Sequence, residues 1–176
     1  MIISCILVGL TAGAAAVAMK TLVHYMYNLS HNDWGLSPLL QKIIFYAFPF
    51  LGIVLTVFVV KYFLNGNDGK GLSNILFNVA KGGSDVPRQK MWSQLITTPI
   101  TVGLGGSSGL EAPIAITGAA IGSNFGASYK LNYRDKTLLL ASGVAAGIAG
   151  VFNAPIAGVM FSIEVILAGI AIIEFI

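Results

Sequence analysis

The chain has 176 residues, 56% of them hydrophobic and 10% charged, with a mean hydropathy of +0.82. Soluble domains carry about 25% charged residues, so the composition is that of an integral membrane protein. The net charge of +3 comes without a basic cluster or aromatic platform, which argues against nucleic acid as a partner, and the single cysteine, Cys5, permits neither an internal disulfide nor a metal site of its own.

The first apolar run, residues 2–27, starts without a basic leader and exceeds the length of a cleavable segment, so it reads as a membrane helix and not a signal peptide. Gly9 and Gly13 give it a small-xxx-small face for close packing. The joint 28–37 holds Asp33 and no Lys or Arg. Residues 39–64 form a second spanning segment that Pro49 is expected to kink. A turn-rich break follows at 65–71, then a short helix over 72–80. Lys81, Arg88 and Lys90 mark the next joint, and residues 91–104 are apolar again. They run into the glycine-rich break Gly105-Gly-Ser-Ser-Gly-Leu-Glu-Ala-Pro113.

Glu111 sits in that break. A carboxylate between two apolar segments is expensive in hydrocarbon and by default belongs to an ion or substrate pathway. Pro113 suits the first turn of a helix, so the amides of Leu110, Glu111 and Ala112 are expected to point from a positive helix end into the break, an anion site made of backbone. The helix over 112–127 is roughly 24 Å long at 1.5 Å per residue, too short for a core of about 30 Å, so it is expected to start inside the membrane. Lys130, Arg134 and Lys136 make a second basic joint at 128–137, followed by apolar segments 138–151 and 154–167. Asn153 is expected to cap the helix that Pro155 begins. The basic joints 81–90 and 128–137 are expected on the cytoplasmic side and the joint 28–37 outside. His24 and His31, with Tyr25, Tyr27, Trp34 and Trp92, read as interface residues and not as a cofactor box. The GxxxG spacings at Gly118, Gly122 and Gly126 are weak signals, common in packed membrane helices.

Two broken segments, at 65–71 and 105–111, are the kind of discontinuous helix that builds a midplane site in transporters with inverted repeats. The residues become specific at two places. Gly109-Leu-Glu-Ala-Pro113 resembles the Gly-Arg-Glu-Gly-Pro signature of the CLC family of chloride channels and proton/chloride antiporters, and the stretch from Gly143 to Glu164, centred on Phe152-Asn-Ala-Pro155, is similar to a second signature of that family. The resemblance implies an all-α membrane protein of CLC-type inverted-repeat architecture with broken intramembrane helices. Residues 1–176 are expected to be a single transmembrane region, the first repeat only, and so part of a longer subunit. The implied location is a multi-pass protein of a bacterial inner or plasma membrane.

The same resemblance implies roles residue by residue. Glu111 falls on the gating glutamate, which competes with chloride for the pore. The anion-binding positions fall on Lys70, Gly71, Leu110, Glu111 and Ala112. Lys70 stands where the family's Gly-Ser-Gly-Ile-Pro motif has its serine, and Ser73 where it has proline; Lys70 either snorkels to the surface or meets the anion or Glu111. Leu110 replaces the motif's arginine, which weakens the external attraction for anions. Val165 occupies the proton-relay position of the antiporters, next to Glu164, so the relay is broken and channel-like permeation is favoured over exchange. No cofactor is implied; the implied partners are chloride or a related anion, the lipid bilayer and a second copy in a homodimer, for which the small residues from Gly143 to Gly158 offer a face. Two alternatives stand beside this reading: a proton-coupled antiporter, and a pore-less half-repeat with a structural role. An enzyme is disfavoured, because no His-Glu-x-x-His pair, Ser/His/Asp set or partnered Cys nucleophile is present.

Overall fold

A computed structural model of the protein describes residues 1–30, 37–64 and 71–167. These form α1 (Ile2–Ser30), α2 (Pro38–Phe63), α3 (Leu72–Ala80), α4 (Lys90–Gly103), α5 (Glu111–Ser128), α6 (Tyr133–Phe152) and α7 (Pro155–Ser162), with a π-turn over Ile163–Leu167. No strand occurs among the described residues. Ile2–Ser30, Gln41–Phe63 and Tyr133–Phe152 are long and apolar enough to cross a membrane. Large apolar side chains lie open along α1 and α2, among them Leu10, Tyr46, Phe50 and Phe63. An apolar surface of that extent suits hydrocarbon and not water.

The centre of the fold is the antiparallel pair α5 and α6, which share the most extensive helix contact. Between apolar helices in lipid there is little hydrophobic force, so association depends on close van der Waals packing and therefore on small residues. A Cβ added at Gly118 would overlap the Gly143 carbonyl, one at Gly143 the Gly118 carbonyl, and one at Gly122 the Leu139 carbonyl. Gly147 lies against Ile114 and Gly126 against Lys136. The GxxxG spacing that looked generic in the sequence is thus the main seam of the molecule.

The remaining helices dock on this pair. α1 runs beside α6: Val8 meets Gly143, and Gly150 abuts Ala16 and Gly13. α7 folds back along α6, with Gly158 against Ala145 and Ala149 and the Ser162 hydroxyl donating to the Ala141 carbonyl at 2.6 Å. Gly143, Gly147, Gly150 and Gly158 therefore all face helices of the same chain. These four glycines serve the fold, while Ile156 and Ala157 of the same stretch stay exposed.

The second basic joint is shorter than the sequence suggested, because α6 begins at Tyr133 and takes Arg134 and Lys136 into its first turn beside Asp135. An acid favours that position at the helix's positive end. Lys136 is buried and paired with Asp85 of the other joint. Around that pair the loop between α3 and α4 is fastened to α5 and α6. The Val86 amide donates to the Ser123 hydroxyl at 3.0 Å, Asn124 donates to the Val86 carbonyl at 3.0 Å, and Ser84 meets the Thr137 hydroxyl. Both basic joints hence sit at one end of the bundle. Ser30, at the far end of α1, donates to the Gly103 carbonyl at the C-terminus of α4 and marks the opposite end.

The seam predicts a graded response to added bulk. Gly122→Val should lower the melting temperature in detergent or abolish the folded protein, since overpacking costs about 1–3 kcal/mol and here the obstacle is backbone. Gly13→Ala, where an added Cβ meets nothing within 4 Å, should melt as the parent does.

Candidate functional site

α5 begins at Glu111, one residue earlier than the sequence indicated, with Leu110 as its N-cap and Pro113 in its first turn. Leu110 caps with no side-chain hydrogen bond. Its carbonyl accepts the Ile114 amide at 3.1 Å, which closes the first turn. The amides of Leu110, Glu111 and Ala112 have no backbone acceptor among the described residues. Three N–H groups are therefore free at the positive end of an 18-residue helix. The side chain of Glu111 is exposed and takes part in no hydrogen bond or ion pair among the described residues. A carboxylate beside open amides, held by nothing else, can occupy the position an anion would take or swing away from it.

The depth of this helix end follows from the packing register. Ile114 lies against Gly147 and Gly118 against Gly143, so the first turn of α5 stands beside the last turn of α6. That turn in turn abuts Gly13 and Ala16 through Gly150. α1 is about 43 Å long at 1.5 Å per residue, and Ala16 lies about 21 Å from its start. Glu111 consequently stands at half the height of the longest helix. The break gets there from the far end: α4 stops at Gly103, packed against Val23 and Met26, and the chain re-enters over residues 104–110. Gly105, at φ +93 and in contact range of Pro49, makes the turn with a conformation that an L side chain rarely adopts.

The helix that faces this end closes differently from the expectation. Asn153 is the C-cap of α6, in the left-handed conformation at φ 53, ψ 35, with its amide on the Ala149 carbonyl; the N-cap of α7 is Ala154. Asparagine tolerates the left-handed region better than other residues with a Cβ, which accounts for its place in the Phe-Asn-Ala-Pro stretch. Sequence reasoning also passed over Lys20. Its ammonium donates to the Val151 carbonyl in the last turn of α6 at 3.1 Å. The signal was available, since a lysine ten residues inside an apolar helix is costly without a partner.

The other predicted residues are placed as follows. Gly71 is the N-cap of α3, and Leu72 of its first turn and Leu110 adjoin the same buried cluster. Lys70, His31 and Trp34 lie outside the described residues. Glu164 is exposed on the π-turn, while Val165 is partly buried against the core. The π-turn follows Ser162, which is bonded to Ala141. Ala141 is nine residues before Gly150 on α6, so Glu164 stands on the order of 14 Å along the bundle from the level of Glu111. The two acids are not brought together. No group of three or more His, Cys, Asp or Glu side chains that could hold a metal occurs among the described residues.

A family model described as voltage gated chloride channel matches residues 51–176. The chain belongs to that family. It is 31% identical over 170 residues to the H(+)/Cl(-) exchange transporter ClcA of Vibrio cholerae, covering 90% of this chain and 35% of the relative. It is 30% identical over 186 residues to the chloride channel protein CLC-d of Arabidopsis thaliana, covering 90% and 22%. The chain thus spans about a third of the length of the first of these relatives. Among solved structures it is similar to a slow cyanobacterial Cl-/H+ antiporter, with a TM-score of 0.71 and 23% identity over 98% of this chain and 45% of the other. A CLC-type fluoride/proton antiporter superposes with a TM-score of 0.70 at 23% identity, covering 97% and 43%. These likenesses establish the CLC fold with its broken helices, in its first repeat.

Asn153 offers a test of how the CLC break is held. Asn153→Val should cost about 1–2 kcal/mol, the penalty of a left-handed residue without asparagine's local compensation, and Asn153→Gly should be close to neutral. Thermal unfolding of the two variants in detergent checks the order.

Proposed function

We propose that this chain forms the first repeat of a CLC pore that moves chloride or a related anion across a membrane, with Glu111 as its gate. The observation that carries the reading is the free Glu111 carboxylate beside three open amides at half the height of α1. An anion and the carboxylate compete for one backbone site. Protonation of Glu111 withdraws the competitor's charge and opens the path. Leu110, Glu111 and Ala112 supply the amides; Gly71, the N-cap of α3, and Lys70, which precedes it in the sequence, are assigned to the same path by family likeness. The inverted second repeat that completes such a pore lies outside this sequence, and residues 1–176 act as one transmembrane unit. The exposed apolar belt of α1 and α2 faces lipid. A homodimer of such subunits is the expected assembly; the four glycines from Gly143 to Gly158 are taken up by the fold, and Ile156 and Ala157 of that stretch remain open to a partner.

Val165 directs the mechanism toward uncoupled permeation. A valine has no titratable group and no hydrogen-bond partner to offer relay water. Coupled exchange is the second reading, favoured by the relatives named as exchange transporters.

Two measurements on the full-length protein in proteoliposomes test these assignments. Glu111→Gln imitates the protonated gate, so anion flux should persist and lose most of its pH dependence. A pH profile equal to the parent's defeats the gate assignment. In the parent, the reversal potential should follow the chloride gradient alone and ignore an imposed pH gradient, with Glu164→Gln making no difference. Uphill proton movement driven by chloride establishes exchange instead.

A further inference from the structure

Among the described residues, Lys20 and Glu111 are charges at mid-height of the bundle without an ion-pair partner. Within Ile2–Ser30 the only basic residues are Lys20 and His24; the first two turns of α5 hold only Glu111, and α6 from Thr137 to Phe152 holds no charge at all. Lys20 is exposed and about 15 Å from the Ser30 end of α1. It turns to α6 and donates to the Val151 carbonyl at 3.1 Å. The partial negative charge of a helix end amounts to about half an electron, so this contact leaves the ammonium net positive. It also uses only one of the three donors of the ammonium.

The packing register puts this charge beside the candidate anion site. The last turn of α6 faces α5 through Gly147 and α1 through Gly150, so Lys20 and Glu111 flank the same turn from neighbouring helices. Packed helix axes are about 8–10 Å apart, so charges on two helices that flank a third lie on the order of 10–20 Å apart. That is too far for an ion pair and close enough for a field. We propose that Lys20 is an affinity-setting residue of the anion pathway, a fixed positive charge that Val151 holds at the level of Glu111 and that raises anion occupancy there. This deepens the reading of Glu111 as an anion gate and rests on it.

The test compares Lys20→Met and Lys20→Arg with the parent, in full-length protein reconstituted in liposomes, by the chloride dependence of the flux. A unit charge at about 10–20 Å and an effective dielectric constant near 20 changes binding roughly four- to fifteenfold, and the exposure of Lys20 places the effect near the lower end, roughly fivefold. Lys20→Met should therefore raise the half-saturating chloride concentration about fivefold with little change in maximal flux, and Lys20→Arg should restore the parent's value. If Lys20 only staples α1 to α6, Lys20→Met will lower the melting temperature and the maximal flux while half-saturation stays put, and the proposal falls. A loss of folded protein in Lys20→Met is resolved by Lys20→Gln, which keeps a donor for Val151 and removes the charge: a parental half-saturation there also overturns it. Absence of chloride flux in the parent would instead refute the anion reading itself.

Discussion

Everything in this bundle depends on how closely α5 and α6 approach. Gly118 and Gly143 put backbone against backbone, and Gly122 does the same for Leu139. In a lipid environment much of the gain along this glycine seam is dispersion, which falls steeply with each fraction of an ångström of separation. The approach fixes the antiparallel register, and the register fixes the height at which α5 begins. Glu111 owes its depth to glycines two and three turns away. A bulkier seam would displace the start of α5 and with it the three open amides, without any change in the residues that carry the charge.

Much of this was legible in the sequence because membrane helices are written in composition. The bounds of α3 match residue for residue, and those of α1, α2, α4 and α5 differ by three residues or fewer. The break before Glu111 announced itself through three glycines, with a proline just after it. What escaped reading is long-range. Lys136 looked like a topological marker because its partner, Asp85, is 51 positions away. Lys20 was invisible as a functional candidate because its acceptor is a backbone carbonyl 131 residues on. Asn153 was assigned to the helix after it and belongs to the helix before it; both are capping roles, and only the dihedral angles separate them.

Polar groups are distributed unevenly along the bundle for a physical reason. At the end where the loop from Gly82 to Pro87 is fastened, hydroxyls and amides saturate one another: Ser84, Ser123, Thr137, Asn124 and the Val86 backbone form a closed set, and Tyr133 donates to Val79 at 2.7 Å. Such satisfied networks rigidify. In the middle layer the amides at the start of α5 and the carboxylate of Glu111 have no partner among the described residues. The stiff end anchors the helix termini that converge on it, and the open amides described here lie away from it, at the start of α5.

The π-turn at Ile163–Leu167 has a consequence for how this part of the chain can vary. Five residues occupy a turn that an α-helix would make with fewer, which is the geometry left behind when a single residue is inserted into a helix. Removing one residue there would restore the ordinary pitch and rotate the chain that leaves Leu167 by about 100°. Glu164 and Val165 now point to different surroundings, one open and one against the core. A one-codon deletion would shift such exposures without altering any side chain's chemistry, so the phase of this turn is a determinant alongside the residues it displays.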